Sequence, residues 1–331
     1  MLTCCAALFS CNGTEPPIEF LPLGESPEGF PDIEFPDDNR FSSSRWKLGK
    51  KLFYDPILSS DSSIGCFSCH NASLAFSDDK KFSFGVNNAE GKSNAPTLTN
   101  VAYHPYFNRD GGVPTLEMQV LVPIQEHNEL NNNIVEIAEK LKGIPEYVEM
   151  AKQAYNREPD AFVITRALAT FERTLVSGNS PYDYVNTGRL NSAMTRSAKR
   201  GMELFFDERS GCINCHSGSN FTNYSFENNG LYKEYADSGR MRITGLEEDR
   251  AKFKVPTLRN VELTAPYMHD GSMQTLEEVV RHYSAGGNGH INQSPFINSL
   301  LLSEKDIADM VEFLKSLTDM SFTTNANLLE D

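Results

Sequence analysis

The sequence predicts a mainly α-helical protein made of two related domains in tandem. Hydrophobic residues recur at helical spacing in several stretches, and no stretch alternates between apolar and polar residues as a strand would. A five-residue motif, in which two cysteines enclose two residues and a histidine follows at once, occurs in both halves of the chain. Its copies are Cys66-Phe67-Ser68-Cys69-His70 and Cys212-Ile213-Asn214-Cys215-His216.

This motif is the sequence form of a covalently attached c-type haem. The two thiols add to the haem vinyl groups, and the histidine on the same turn reaches the iron as its proximal ligand. We therefore predict two covalently bound haem c groups, each in a cytochrome c-like domain. The attachment residues are Cys66, Cys69, Cys212 and Cys215, and the iron ligands are His70 and His216. A Cys4 zinc site built from both pairs is the alternative, but zinc needs no histidine after each pair, and zinc ribbons place their pairs much closer in sequence.

The N-terminal part of the chain precedes the helical pattern. Residues 1–14 are predicted to be a leader, because they form a short apolar stretch in which Leu8-Phe9-Ser10-Cys11 is similar to the lipobox of bacterial lipoproteins. Cys11 would then carry the lipid, and a plain cleaved signal is the alternative. Residues 15–40 are rich in proline and acidic residues, a composition that predicts an extended tether without a core of its own.

The helices are predicted from apolar spacing and from capping residues. A helix over residues 42–54 leads to the first motif, and helices over 131–155 and 160–177 connect the two halves. Ser303 and Asp306 form a capping box that predicts a last helix near the C-terminus.

An internal repeat extends well beyond the two motifs. We therefore place an N-terminal domain at residues 41–186 and a C-terminal domain at residues 187–331. The matching segments are 49–55 with 201–207, 96–101 with 256–261, Pro105-Tyr106 with Pro266-Tyr267, Asp110-Gly111 with Asp270-Gly271, and 115–117 with 275–277.

The two halves differ at one position that bears on iron ligation. A capping box predicts a helix that runs through Tyr283 in the second half. Counted along the repeat, Pro123 holds that place in the first half, where it has no ligand atom and is expected to end its own helix. The second haem thus gains a candidate sixth ligand, and the first is left open. His282, Met268 and Met273 are alternatives to Tyr283 that residue chemistry alone does not separate.

Composition and charge exclude several partner classes. The 331 residues include 45 acidic and 30 basic side chains, and the resulting net charge of −15 argues against nucleic acid or an anionic lipid surface as the partner. No apolar run of about eighteen residues occurs, so the chain would reach a membrane only through a lipid on Cys11. Haem attachment of this type needs an exported chain, which predicts the periplasm.

Taken together, these features resemble the bacterial di-haem cytochrome c peroxidase superfamily over residues 42–319. Besides the haem motifs, the resemblance rests on Lys254-Val255-Pro256-Thr257-Leu258-Arg259-Asn260 and Ala265-Pro266-Tyr267-Met268-His269-Asp270-Gly271. Residues 169–178 and Tyr283 are similar to the MauG and methanobactin-associated MbnH branch, whose second haem is ligated by His and Tyr.

Two departures from the conventional members bear on the chemistry. Those members carry a removable histidine after the first motif, whereas residues 71–103 here contain no histidine, which also implies an open first haem. The family commonly has a tryptophan between the haems, and Asn108-Arg109 stands there instead. Trp46 is the only tryptophan in the sequence.

The resemblance also implies roles for polar residues. Gln119 and Glu129 match the polar pair above the peroxide-binding haem, with Glu129 as the general acid–base that moves a proton between the two peroxide oxygens. Asn94, with the carbonyls of Thr264 and Pro266, matches a calcium site between the haems, and an oxygen-only ligand set suits Ca²⁺.

The function expected from the resemblance is an H2O2-dependent oxidoreductase. H2O2 would react at the His70 haem, and the second haem would hold the other oxidising equivalent for an aromatic side chain of an exported partner protein. One alternative is a conventional cytochrome c peroxidase that takes electrons from a small cytochrome or copper protein. The other is a non-enzymatic di-haem electron carrier, which would keep both irons six-coordinate.

Overall fold

A computed structural model describes Thr14 and residues 16–330 of the chain. The predicted leader, including Cys11, lies almost wholly outside these described residues. Within them, no helix is both long enough and apolar enough to cross a bilayer. The predicted mainly helical fold is confirmed, since the sheet structure consists of two short antiparallel strands, β1 (Phe226–Glu227) and β2 (Phe253–Lys254).

In the N-terminal half, one helix precedes the first haem motif and the others follow it. In chain order they are α1 (Ser43–Tyr54), α2 (Leu116–Gln119), α3 (Leu121–Gln125), α4 (Ile134–Lys142), α5 (Pro145–Tyr155) and α6 (Ala161–Glu172). The remaining helices, from the link between the domains to the C-terminus, are α7 (Pro181–Asn186), α8 (Arg196–Phe206), α9 (Met241–Thr244), α10 (Leu276–Ala285), α11 (Glu304–Lys315) and α12 (Met320–Thr323).

The N-terminal core is built on the crossing of α1 and α6. A Cβ on Gly49 would lie 1.9 Å from the carbonyl oxygen of Ala167, so the two backbones approach closely only because this residue has no side chain. Beside this contact the rings of Phe53 and Phe171 meet with centroids 5.0 Å apart, and both side chains are fully buried.

The C-terminal core repeats this arrangement with α8 and α11. A Cβ on Gly201 would lie 1.9 Å from the carbonyl oxygen of Asp309, and the rings of Phe205 and Phe313 meet at 5.0 Å. Gly201 and Phe205 match Gly49 and Phe53 in the repeat. The internal repeat therefore corresponds to one helix pair per domain.

Two predicted helices are shorter or divided in the structure. The helix expected over 131–155 is two helices, α4 and α5, because Gly143 ends the first and Pro145, which has no backbone donor, occupies the first turn of the second. The helix expected over 160–177 ends at Glu172. Beyond it, the carbonyl of Leu175 accepts a hydrogen bond of 2.8 Å from the backbone of Asn100 instead of continuing the helix.

The predicted helix ends around the second motif agree well with the structure. Thr275 and Ser303 cap α10 and α11 through capping boxes, as the sequence predicts. The chain then forms one more short helix, α12, after the helix that was expected to be the last.

The tether was predicted over residues 15–40, and the part that the structure describes, residues 16–40, is extended but is not detached from the folded body. Leu23 packs against the N-terminal core, and the ring of Phe30 lies 5.6 Å from that of Tyr103. The guanidinium of Arg259, from the C-terminal half, lies over the same Phe30 ring, 4.9 Å from its centroid. A composition average misses these contacts because each depends on one apolar side chain in a segment that is otherwise rich in proline and acidic residues.

The C-terminal end of the chain returns to the N-terminal domain. Phe322 and Leu328 are buried in the N-terminal core, and the hydroxyl of Tyr54 donates to the carbonyl of Leu328 at 2.7 Å. In the opposite direction, side chains of α7 pack against the C-terminal core. The two cores thus exchange segments across the limits of 41–186 and 187–331, which stay a prediction from the repeat.

Candidate haem centres

The first haem motif forms a tight turn that presents its histidine. Cys66–Ser68 is a 3₁₀ turn, and the backbone of His70 donates to the carbonyl of Cys66 at 3.0 Å. The ring nitrogen Nδ1 of His70 lies 2.9 Å from the carbonyl of Phe76, which can only accept, so Nδ1 carries the proton. Burial lowers the pKa of His70, which keeps the ring neutral. Nε2 is therefore left with a lone pair for iron.

The second motif repeats this geometry. Cys212–Asn214 is again a 3₁₀ turn, and the backbone of His216 donates to the carbonyl of Cys212 at 2.9 Å. Nδ1 of His216 lies 3.0 Å from the carbonyl of Phe221, and burial lowers the pKa of this ring too. Both histidines thus have the tautomer and the orientation that a haem ligand needs.

The four cysteines lie as two separate pairs. Burial raises the pKa of all four thiols, to about 12 for Cys215, so the uncharged form is favoured at neutral pH. Among the described residues, no group of three or more His, Cys, Asp and Glu side chains is arranged to hold a metal ion, which excludes a shared Cys4 zinc site there. The residues fit two haem groups, which when bound supply the iron for peroxide and electron-transfer chemistry.

Tyr283 faces the second motif from α10. The thiols of Cys212 and Cys215 both lie close enough to contribute to its raised pKa of about 12, which burial mainly causes. A hydrogen bond from the side chain of Asn229 acts in the opposite direction and favours the phenolate. The structure therefore places Tyr283 beside the second motif, and its role as an iron ligand stays a prediction.

Two of the alternative ligands have other partners. Nε2 of His282 lies 2.9 Å from the carbonyl of Asn229, so this ring donates to backbone and has no free lone pair there. The sulfur of Met268 lies 3.2 Å from the side-chain nitrogen of Asn229. These contacts favour Tyr283 over both residues.

The corresponding region of the first domain is built differently. Pro123 does not end its helix, as the sequence suggested, but lies within α3. The interruption comes at Val120, between α2 and α3. A proline ring collides with the carbonyl four residues earlier, here that of Gln119, which explains why the break precedes Pro123 instead of following it. The position equivalent to Tyr283 thus offers no ligand atom.

Glu129 lies beside the first motif. Its charge contributes to the raised pKa of both Cys66 and Cys69. Its backbone carbonyl accepts from Val86 at 3.0 Å, which anchors the loop after α3. Surrounding protein atoms, and secondly the charge of Glu126, raise the pKa of Glu129. Gln119, the other predicted polar residue, is the last residue of α2, and its catalytic role stays a prediction.

With this geometry described, comparison with known proteins decides the family. A family model described as di-haem cytochrome c peroxidase matches residues 43–191, and a cytochrome c model matches residues 198–318. The methylamine utilization protein MauG of Methylorubrum extorquens is 37% identical over 289 residues, which cover 86% of this chain and 81% of that protein. The chain belongs to the di-haem cytochrome c peroxidase family. The expected resemblance is confirmed, and this protein is a di-haem oxidoreductase.

Two further relatives show the spread of this family. The cytochrome c551 peroxidase of Nitrosomonas europaea is 37% identical over 278 residues, covering 82% of this chain and 79% of that protein. A crystal structure of a MauG-like protein associated with microbial copper homeostasis superposes with a TM-score of 0.88 at 31% identity, covering 92% of this chain and 97% of that one. The two-domain fold of this di-haem oxidoreductase is therefore confirmed.

One acidic residue beside the first motif is not predicted from the sequence. Glu172, at the end of α6, is buried, and its Oε2 atom has no hydrogen-bond partner among the described residues. Burial raises its pKa to about 8, and its charge contributes to the raised pKa of Cys66. Its place four residues after the buried Leu168, on the side of the helix that carries the apolar residues, is the signal that could have identified it.

The predicted calcium site does not fit the residues present. The guanidinium of Arg109 donates to the backbone carbonyl of Asn94, and its Nη2 atom lies 3.4 Å from the side-chain oxygen of Asn94. Calcium needs such oxygens to face it without a neighbouring cation. Asn94 therefore does not join the carbonyls of Thr264 and Pro266 as an open ligand set, and no step of the reaction is assigned to calcium.

Proposed function

We propose that this di-haem oxidoreductase is exported to the periplasm, reacts with H2O2 at its first haem and oxidises an aromatic side chain of a partner protein. The observation that carries the proposal is the difference between Tyr283 on α10 and Pro123 in α3. An open first site admits peroxide, and a tyrosine at the second site supplies a ligand there.

Glu129 is the proposed general acid–base of the first site. Its carboxylate takes the proton from one peroxide oxygen and returns it to the other, so that the leaving oxygen departs as water. The raised pKa of Glu129 supports the second half of this cycle, because a weaker acid holds the proton after the first transfer. Gln119 is the proposed hydrogen-bonding partner of the bound peroxide.

Tyr283 is the proposed ligand of the second site, with Asn229 as its positioning residue. The Asn229 side chain lowers the pKa of Tyr283 against the larger effect of burial, so it favours the anionic oxygen that iron binds. An anionic oxygen ligand stabilises oxidised iron more than a thioether sulfur does. This supports storage of an oxidising equivalent over acceptance of electrons from a cytochrome.

The proposed location and partner follow from the chemistry of attachment and from charge. Attachment of c-type haem requires export, and a lipid on Cys11 would hold the chain at a membrane near other exported proteins. The net charge of −15 disfavours nucleic acid as a partner and is compatible with a protein partner. The similarity to MauG and to a MauG-like protein supports a protein substrate.

A conventional peroxidase is the second candidate function. Two observations favour it, namely the identity of 37% with a cytochrome c551 peroxidase and the replacement of a tryptophan by Arg109 between the haems. A small cytochrome or copper protein would then supply the two electrons. A pure electron carrier is disfavoured, because a carrier would keep a ligand at the place of Pro123.

One combined experiment separates these functions. The ferric protein is studied by electronic spectroscopy and EPR, then supplied with H2O2 and either a reduced small cytochrome or exported proteins co-expressed with it. One high-spin haem, slow cytochrome oxidation and oxygen addition to aromatic residues of a partner are expected. Rapid cytochrome oxidation without such products would establish the conventional peroxidase, and two six-coordinate haems without turnover would establish the carrier.

A further inference from the structure

Two loops of the repeat meet where the domains join. In one, the backbone of Phe107 donates to Val113, and in the other Tyr267 donates to Met273, each at 2.7 Å. This pairing shifts the sequence match by one residue, so Tyr267 corresponds to Phe107 and not to Tyr106. Arg109 and His269 therefore occupy equivalent positions in the two loops.

The loops are linked across the domains by an equivalent pair of backbone hydrogen bonds. Lys254 donates to the carbonyl of Arg109 at 2.7 Å, and Asn94 donates to the carbonyl of His269 at 3.4 Å. Asn94 and Lys254 are themselves equivalent, since each stands two residues before the proline of the same repeated segment. The four residues thus form a junction with approximate two-fold symmetry in its backbone.

The side chain of Arg109 breaks this symmetry. Its guanidinium donates to the carbonyl of Asn94 in its own domain and lies 3.4 Å from the carbonyl of Met268 in the other. The amide of Asn94 is fixed by a 2.9 Å bond from its nitrogen to the carbonyl of Lys80, which turns its oxygen towards the guanidinium. One planar cation therefore contacts oxygens of both domains.

The charge of this guanidinium is kept at neutral pH. Burial lowers the pKa of Arg109 to about 10, and the nearby carboxylates of Asp237 and Asp270 oppose that effect. A pKa of about 10 leaves the group protonated under physiological conditions. The junction accordingly holds a permanent positive charge supplied by the chain.

We infer that the Arg109 guanidinium is the resident cation of the junction between the haem domains and that it takes the place of a bound divalent metal ion. A guanidinium and Ca²⁺ compete for the same carbonyl and amide oxygens, and a divalent ion placed beside the guanidinium would be repelled by it. The inference concerns the junction alone and holds for either electron donor of the reaction.

If Arg109 supplies the cation of the junction, this di-haem protein needs no calcium there. The holoprotein is dialysed against EGTA and then titrated with CaCl2, while Tm and the ferric spectra of both haems are followed. For the unmodified chain, neither treatment should change Tm or the spectra. A stoichiometric calcium ion that EGTA removes with a fall in Tm would overturn the inference.

Arg109→Met tests the same point from the other side. Loss of the guanidinium should lower Tm by roughly 5 °C and should create saturable calcium binding that restores part of the loss. Arg109→Lys, which keeps a charge but not the planar donor set, should give a smaller fall and bind no calcium. Arg250→Met is the matched control, because its guanidinium pairs with Glu247 at the surface. An Arg109→Met protein that behaves like this control would contradict the inference.

Discussion

The two haem domains are alike on the side that attaches the haem and unlike at the position that would complete iron ligation. Gly49 and Gly201 allow the same helix crossing, and His70 and His216 donate to equivalent carbonyls. In contrast, the helix that carries Tyr283 runs unbroken from Leu276 to Ala285, whereas its counterpart is divided into α2 and α3. Attachment chemistry fixes one side of each haem site, while the other side is free to diverge.

The side chains around the two sites also differ, since carboxyl groups lie at the first site and neutral groups surround Tyr283 at the second. The first site has two carboxyl groups with raised pKa values, Glu129 and Glu172, which suit proton transfer. Around the second site, neutral groups such as Asn229 contact the phenol of Tyr283. This difference supports the proposed division, in which acid–base chemistry belongs to the first domain and ligation by Tyr283 to the second, and the following experiments test it.

The largest expected effect is the loss of one whole haem. The double variant Cys212→Ser/Cys215→Ser removes both attachment bonds of the second site and should reduce the covalently bound haem to one per chain. The C-terminal domain would then lose the cofactor around which its core forms, so Tm should fall by far more than the loss of a single contact would cause. A pyridine haemochrome assay and thermal unfolding measure both effects. Two covalently bound haems in this variant would show that the motif does not act as predicted.

The next largest effect is expected when the second site loses its proposed tyrosine ligand. Tyr283→Phe takes away the ligand oxygen, so the six-coordinate low-spin EPR signal should disappear while the His70 haem stays unchanged. Tyr235→Phe is the matched control, because the Tyr235 hydroxyl also lies near the Asn229 side chain, at 3.2 Å, but is no candidate ligand. Survival of the low-spin signal in the Tyr283 variant would instead assign Met273 or another residue as the ligand.

A smaller effect concerns proton transfer at the first site. Glu129→Gln keeps the shape of the side chain and removes its proton transfer, which should slow the reaction with H2O2 by about 10²–10⁴-fold. Stopped-flow absorbance measures the rate. Glu126→Gln serves as the control at a neighbouring exposed acid and should keep most of that rate. An unchanged rate for Glu129→Gln would leave this residue as an ordinary loop carboxylate.

The pH dependence gives the same assignment a second test. The ionised form of Glu129 must take the first proton, so the rate should fall as the pH decreases through its pKa, which desolvation by nearby protein atoms and the charge of Glu126 raise above the usual range. Removing the charge of Glu126 lowers that pKa, and the decline should therefore move to lower pH in Glu126→Gln. A decline that stays at the same pH in this variant would assign the titration to another group.

The smallest effect tests the part that the domains share. Gly49→Ala and Gly201→Ala each place a Cβ against a backbone carbonyl oxygen and should each lower the free energy of unfolding by about 1–3 kcal/mol. Because the two approaches are equally close, the two losses should be similar. Urea unfolding of the holoprotein measures them. A loss in only one variant would show that the two helix crossings are not energetically equivalent.

The sequence predicts the haem residues well because covalent attachment requires a local spacing, and local spacing is visible in a sequence. Tyr283 could also be found, since a capping box defines its helix and the repeat gives its counterpart. Contacts between distant segments could not be predicted in this way. Arg109 is a long side chain whose partners, Asn94 and Met268, depend on how three loops meet in space.

Two predictions from local sequence rules were wrong, one for a helix end and one for the tether. Proline commonly marks a helix end, but the clash of its ring with an earlier carbonyl places the break before Pro123. Composition predicted a tether over residues 15–40, although individual side chains such as Leu23 and Phe30 find partners on the body. In both cases the outcome depended on the contact of one side chain or ring with its surroundings.

The exchange of chain ends between the domains has a consequence for how the molecule melts. The carbonyl of Pro17 accepts from Tyr184, whose helix packs on the C-terminal core, while Phe322 and Leu328 complete the N-terminal core. Unfolding of either domain therefore strips contacts from the other. The molecule should behave as one cooperative unit in calorimetry, and a fragment cut between the domains would lack part of its own interior.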